Sequence, residues 1–174
     1  MNSKEIQEGV SRPDIDFELQ KMVDIDQEMR ERAHKEDDFW DGDIDRRNTQ
    51  RIKEIIKEIG FPFISIVGQE GAHNAWLLVQ HADNDVNFQV KCLGLMKQAP
   101  VGEVAVVDIA YLEDRIRINH KQPQLYGTQF TQEGGKHLPI PIEDEKMVNE
   151  RRARMGMGTL DDQIKSMYEK YPKP

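Results

Sequence analysis

Apolar residues recur at three- and four-residue spacing along much of the chain, and this pattern predicts helices separated by short polar breaks. Ile52, Ile55, Ile56 and Ile59 mark the clearest amphipathic face, a helix over 46–59. Gly60 stops it, and Pro62 prevents a restart. An earlier stripe of Ile15, Leu19, Met22, Val23 and Met29 follows Pro13-Asp14 and predicts a helix to about residue 35. Ala75, Trp76, Leu77, Leu78 and Val79 are apolar on nearly every side, so the helix predicted over 72–81 belongs to the core. Val86, Val90, Leu93 and Met96 predict a helix over 85–97, with Asp83 or Asn84 as its N-cap. Val107, Ala110, Tyr111 and Ile118 set the buried face expected for a helix over 106–119. Two further helices are expected over about 143–155 and 160–168.

The breaks carry their own signals. Residues 35–45 are acidic and predict a loop with Phe39 and Trp40 tucked back on the body. Residues 61–67 form a short apolar run, extended or a single turn, and 68–71 read as a turn. Gly134-Gly135, between short runs that begin at Phe130 and end at Ile140, predicts a small β-hairpin. The expected fold is therefore mainly α: a compact single-domain bundle of about six or seven helices, with one small hairpin in the C-terminal third. The globular domain is expected over 14–168, with flexible termini at 1–12 and 172–174.

Composition narrows the functions. A chain of 174 residues suffices for one core. A net charge of −8 argues against binding a phosphate backbone, so no nucleic-acid partner is expected. No apolar run approaches a membrane span, and the first residues lack the apolar stretch of a secretory signal. A soluble, cytoplasmic protein is the expectation. The single cysteine, Cys92, cannot form an internal disulfide and lies in an apolar helical pattern, as a buried inert thiol would. No cofactor or metal motif is present; His73 and His81 are eight apart and lack the four-residue spacing of a zinc helix. No serine occupies a nucleophile elbow.

Two polar clusters adjoin segments that must be buried, where unpartnered polar groups are costly. In the first, His81 is the expected catalytic proton carrier, with Asp83 orienting its ring and Gln80 contacting substrate. The plainer readings are a helix C-cap for His81 and an N-cap for Asp83. In the second, Gln124, Tyr126, Thr128 and Gln129 offer uncharged donors and acceptors suited to a ligand. The plainer reading is a loop that satisfies its own backbone and latches the hairpin. Asn48, Arg51 and Arg151 complete the expected substrate-binding set. Asp26 and Arg30, four apart, read as an ordinary helix ion pair, and Asp114 as a surface charge.

The segments Asn48-Thr49-Gln50-Arg51-Ile52-Lys53-Glu54-Ile55-Ile56, Ala75-Trp76-Leu77-Leu78-Val79-Gln80-His81-Ala82-Asp83, Gln124-Leu125-Tyr126-Gly127-Thr128-Gln129-Phe130, Pro141-Ile142-Glu143-Asp144 and Arg151-Arg152 together resemble a bacterial family described only as domain of unknown function 6624. The resemblance spans about 24–160 and implies that these polar elements belong to one unit; it carries no activity with it. Three functions are weighed. The first is a metal-independent, hydrolase-like acid–base enzyme acting on a small molecule or peptide, which requires the two clusters to converge on one cavity. The second is a non-catalytic regulatory or immunity-type binding module. The third is a metal-dependent hydrolase using His73, His81 and nearby aspartates.

Overall fold

The computed structural model describes residues 10–33, 35 and 40–171. Residues 36–39 of the expected acidic loop, Phe39 included, lie outside the described residues, as do 1–9, 34 and 172–174. Among the described residues the fold is mainly α, with seven α-helices and one two-stranded hairpin. The chain divides into two compact units, Met1–Ala105 and Val106–Pro174.

The first unit contains α1 (Pro13–Ala33), α2 (Gly42–Ile59), α3 (Ile64–Gln80) and α4 (Val86–Lys97). Helix α1 packs on α3 and α2, while α4 packs on α3. Leu19, Ile52, Ile55, Val67, Ala75, Leu78 and Val79 are almost wholly buried between them. Helix α2 begins four residues before the isoleucine pattern suggested. Asp41 supplies the cap: its side chain accepts from the Asp43 N–H at 2.9 Å, and Asp43 and Asp45 load the first turn with favourable negative charge. Helix α3 also starts early. The expected turn at 68–71 contracts to Gly68, whose φ of 79° is non-helical and kinks a helix that otherwise continues. Asp85, rather than Asp83 or Asn84, caps α4, accepting from the Phe88 N–H at 2.9 Å and pairing with Lys53 at 2.6 Å. Cys92 is buried, and burial pushes its thiol up to about 12.

The second unit contains α5 (Val106–Asn119), β1 (Phe130–Glu133), β2 (Lys136–Pro139), a 3₁₀ turn (Glu145–Met147), α6 (Val148–Arg154) and α7 (Leu160–Lys170). The hairpin pairs Phe130 with Pro139 and Glu133 with Lys136, and Gly134 and Gly135 take the positive φ values its two-residue turn requires. Helix α5 differs from expectation in phase. Asp108, Ala110, Leu112, Asp114 and Ile116 are buried, whereas Val107, Tyr111 and Ile118 are only half-buried. A buried carboxylate on this face draws the helix toward its donors. Buried His137 in β2 meets the Tyr171 carbonyl through Nε2 at 2.9 Å, seating the end of α7. Among the described residues, no helix is long and apolar enough to cross a membrane.

Two glycines should respond oppositely to alanine. A Cβ on Gly71 would lie 2.6 Å from Asp16 Oδ1 and 2.9 Å from Val67 Cβ, so Gly71→Ala should cost roughly 2 kcal/mol. Gly94, inside α4, has nothing within 4 Å, so Gly94→Ala should raise stability by about 0.5–1 kcal/mol. Urea unfolding of the two variants checks both signs.

Candidate functional site

The first polar cluster is built on a residue that the pattern places in the apolar stripe of α1. Asp26 continues the spacing of Leu19, Met22 and Met29, and its carboxylate is wholly buried. Arg30, one turn on, binds it through Nε and one terminal nitrogen at 3.1–3.2 Å, and Gln27 adds an amide at 2.8 Å. From the end of α3, His81 brings Nδ1 to 2.9 Å from Asp26 Oδ2. The same Arg30 reaches across to α2, where it meets Asp45 Oδ1 at 2.6 Å. One guanidinium thus joins two carboxylates and an imidazole from three helices. The indole of Trp40 lies over the guanidinium at 5.1 Å.

The ionisation states follow from the contacts. Burial works to raise Asp26, but the hydrogen bonds and charges of His81 and Arg30 outweigh it and hold the carboxyl at about 2. An ionised Asp26 can only accept, so the ring satisfies this contact in the form that carries a proton on Nδ1. Arg30 Nε donates to Asp26 and also points at the same ring nitrogen from 3.1 Å, a contact that the opposite tautomer would accept. With the proton on Nδ1, the lone pair of the neutral ring is on Nε2, which has no hydrogen-bond partner among the described residues. The His81 side chain is 16% exposed. Asp45 moves the other way: burial pushes its carboxyl up, the Arg30 charge opposing. Two acids sharing one cation are therefore driven apart, an arrangement typical of proton-handling sites.

The other expected residues of this unit take different places. Asp83 is exposed and accepts from Gln89 Nε2 at 3.3 Å; Asp26 is the carboxylate at the ring. Gln89, fully buried, also donates to the Val79 and Gln80 carbonyls and so closes the end of α3. Gln80 is buried, and its Oε1 has no hydrogen-bond partner among the described residues. The same holds for Nδ2 of half-buried Asn48. Arg51 is committed elsewhere: it grips Glu18 through two bonds of 2.6 and 2.8 Å and Glu54 through a third. His73 is exposed, with its ring 4.8 Å from Trp76. Among the described residues, no group of three or more His, Cys, Asp or Glu side chains is arranged to hold a metal ion.

The second cluster is organised on Asp114, which is fully buried on α5. It accepts from the backbone N–H groups of Leu125 (2.6 Å), Tyr126 (3.1 Å) and Thr128 (3.0 Å) and from the Thr128 hydroxyl (2.9 Å). Burial still pushes its carboxyl up against those donors. Gln124, wholly buried, spends both amide hydrogens on the Gln129 and Ile140 carbonyls and accepts from the Gln129 N–H. Gln129 is held by Arg115 at 3.1 Å and donates to Thr128 Oγ1 at 3.0 Å. Arg151 donates to the Leu125, Glu143 and Asp144 carbonyls. Buried Arg152 donates to the Tyr126 and Gly158 carbonyls. Gly127, with φ of 69°, lies so close to Leu160 and Ile142 that a Cβ would fall 2.7 Å from one and 3.0 Å from the other. Tyr126 is held more loosely at its polar end, its hydroxyl 3.5 Å from Glu113. This cluster has the character of a latch: Gln124, Thr128, Gln129 and Arg151 are engaged in holding the 124–129 loop. The two clusters fall in different units, each assembled on its own carboxylate.

Residues 13–173 match the model of a family described as "Family of unknown function (DUF6624)". The chain belongs to this family. No curated protein and no solved structure matches it. The matched span covers both carboxylate-centred networks, so Asp26, His81 and Asp114 all lie inside the DUF6624 region.

The networks predict distinct mutational responses. Asp26→Asn leaves Arg30 and His81 without their shared anion and should cost about 3 kcal/mol near neutral pH. Because the folded carboxyl lies at about 2, below its unfolded value, its contribution is present above about pH 4 and disappears as pH falls through 2. The gap between wild type and variant in urea titrations should therefore narrow over that window. Gln129→Ala should cost about 2 kcal/mol by stranding buried partners. Gln80→Met removes a buried acceptor that has no described partner and should raise stability by up to about 1 kcal/mol. Thermal melts of the two glutamine variants separate a latch from a site.

Proposed function

We propose that this protein is an acid–base catalyst of hydrolase-like type acting on a small molecule or peptide, with its proton-handling centre in the first unit. The observation that carries this reading is the 2.9 Å contact between His81 Nδ1 and the wholly buried Asp26. It supports a ring proton on Nδ1, with Nε2 as the base. In this scheme Nε2 removes a proton from water or a substrate hydroxyl and returns it to the leaving group. Asp26 holds the tautomer and stabilises the imidazolium that forms. No metal ion has a part in the scheme. The Gln80 amide supplies an acceptor for substrate, which its unpartnered Oε1 supports.

This reading rests on the first cluster alone and not on its convergence with the second, which enters only as the support of its own unit. An acidic chain with one buried cysteine fits a cytoplasmic protein without a nucleic-acid partner. A binding module without catalysis is the second reading. It is favoured by the same buried amides of Gln80 and Asn48, which a bound ligand would satisfy.

Imidazole nitrogen chemical shifts of His81, recorded in the full chain at neutral to alkaline pH, should show the Nδ1–H form. Activated esters and aminocoumarin peptides then serve as a substrate panel, on which His81→Gln should lower turnover about 100-fold or more. An Nε2–H tautomer, or turnover indifferent to His81→Gln, rejects catalysis by this residue. Ligand binding that survives His81→Gln and is lost in Gln80→Met favours the binding module.

A further inference from the structure

Charge at the Asp26 centre does not balance if Asp26 acts alone. An imidazolium at His81 would put two cations, itself and Arg30, on one buried carboxylate. Arg30 Nε lies 3.1 Å from His81 Nδ1, close enough to oppose protonation of the ring. The second anion comes from another helix: Asp45, in the first turn of α2, meets the same guanidinium at 2.6 Å. Its side chain is 17% exposed, so the pair is shielded from solvent far more than a surface salt bridge. With Asp45 present, two carboxylates face two cations whenever His81 is protonated, and one net negative charge remains when it is not.

We propose that Asp45 is the positioning residue that makes His81 protonation affordable: by neutralising Arg30 from α2, it frees the Asp26 charge to act on the imidazole. This rests on the acid–base reading of His81. Among the described residues, the charged groups facing the ring are Asp26 and Arg30 from α1 and Asp45 from α2; Asp83, in the turn after α3, acts on Asp45. Asp45 does not touch the ring in this scheme, and Arg30 transmits its effect. Burial pushes the Asp45 carboxyl up and the Arg30 charge opposes that rise, so the ion pair is what favours the charged form of Asp45. A residue with only a packing role would not alter the proton affinity of a histidine it does not contact.

Carbon–proton NMR titration of His81 in the full chain reads the effect directly. Asp45→Asn should lower the proton affinity of His81 about fivefold to tenfold, with the Nδ1–H tautomer retained, and Asp45→Glu should restore it. Arg30→Gln should change it in the opposite sense, because two carboxylates then face the imidazole without a competing cation. Asp83→Asn, an exposed loss of the same charge, should shift the midpoint less than half as far as Asp45→Asn. An unchanged midpoint in Asp45→Asn, a fall in Arg30→Gln, or an equal shift in Asp83→Asn overturns the proposal. A ring protonated on Nε2 in the unaltered protein would instead reject the catalytic reading, while the midpoints still decide the role of Asp45.

Discussion

A carboxylate removed from water must find compensating charge or several donors, and the first unit is arranged around that requirement at Asp26. The residue lies on the inner face of α1 with no exposure. Its satisfaction draws in Arg30 from the same helix, His81 from the end of α3 and, through Arg30, Asp45 from α2. The apolar contacts of Leu19, Ile52 and Leu78 supply the driving force for packing these helices, but they are non-directional. The ionic network is directional and holds one imidazole against one carboxylate.

The second unit meets the same requirement with different chemistry. Asp114 is as deeply buried as Asp26, yet its described partners are backbone N–H groups and a hydroxyl from a single loop. Those groups do not titrate in the ordinary range, so the result is a fixed loop conformation. Gln124 and the Arg151-Arg152 pair extend it by using their donors on backbone carbonyls. At Asp26 one partner is an imidazole with a second nitrogen. The difference between the two clusters thus lies in what surrounds the carboxylate.

Much of this architecture is written in local pattern. The isoleucine face of α2, the Gly60 stop, the Gly134-Gly135 hairpin and the extent of α5 are short-range features, decided by spacing and by the φ values glycine permits. His81 was visible as a titratable group at the end of a buried helix. Asp26 and Asp114 also left a signal: each falls at a helical interval on its own apolar stripe, where a surface charge would not be placed. The signal is easily overlooked because an Asp four residues before an Arg is also the ordinary pattern of an exposed ion pair.

The presence and approximate extent of most helices depend on interactions among neighbours in the chain, so the order of residues settles them, whereas the buried face of α5 follows Asp114 and its distant donors. The identity of the carboxylate at His81 likewise does not depend on neighbours in the chain. Asp83 is two residues away and Asp26 is fifty-five, yet the packing of α1 on α3 brings the distant one to 2.9 Å. The sharing of Arg30 between Asp26 and Asp45, and the enclosure of Asp114 by the 125–128 backbone, arise in the same way. These partnerships appear only when helices and loops distant in sequence are packed, because burial removes the water that would otherwise satisfy each charge separately.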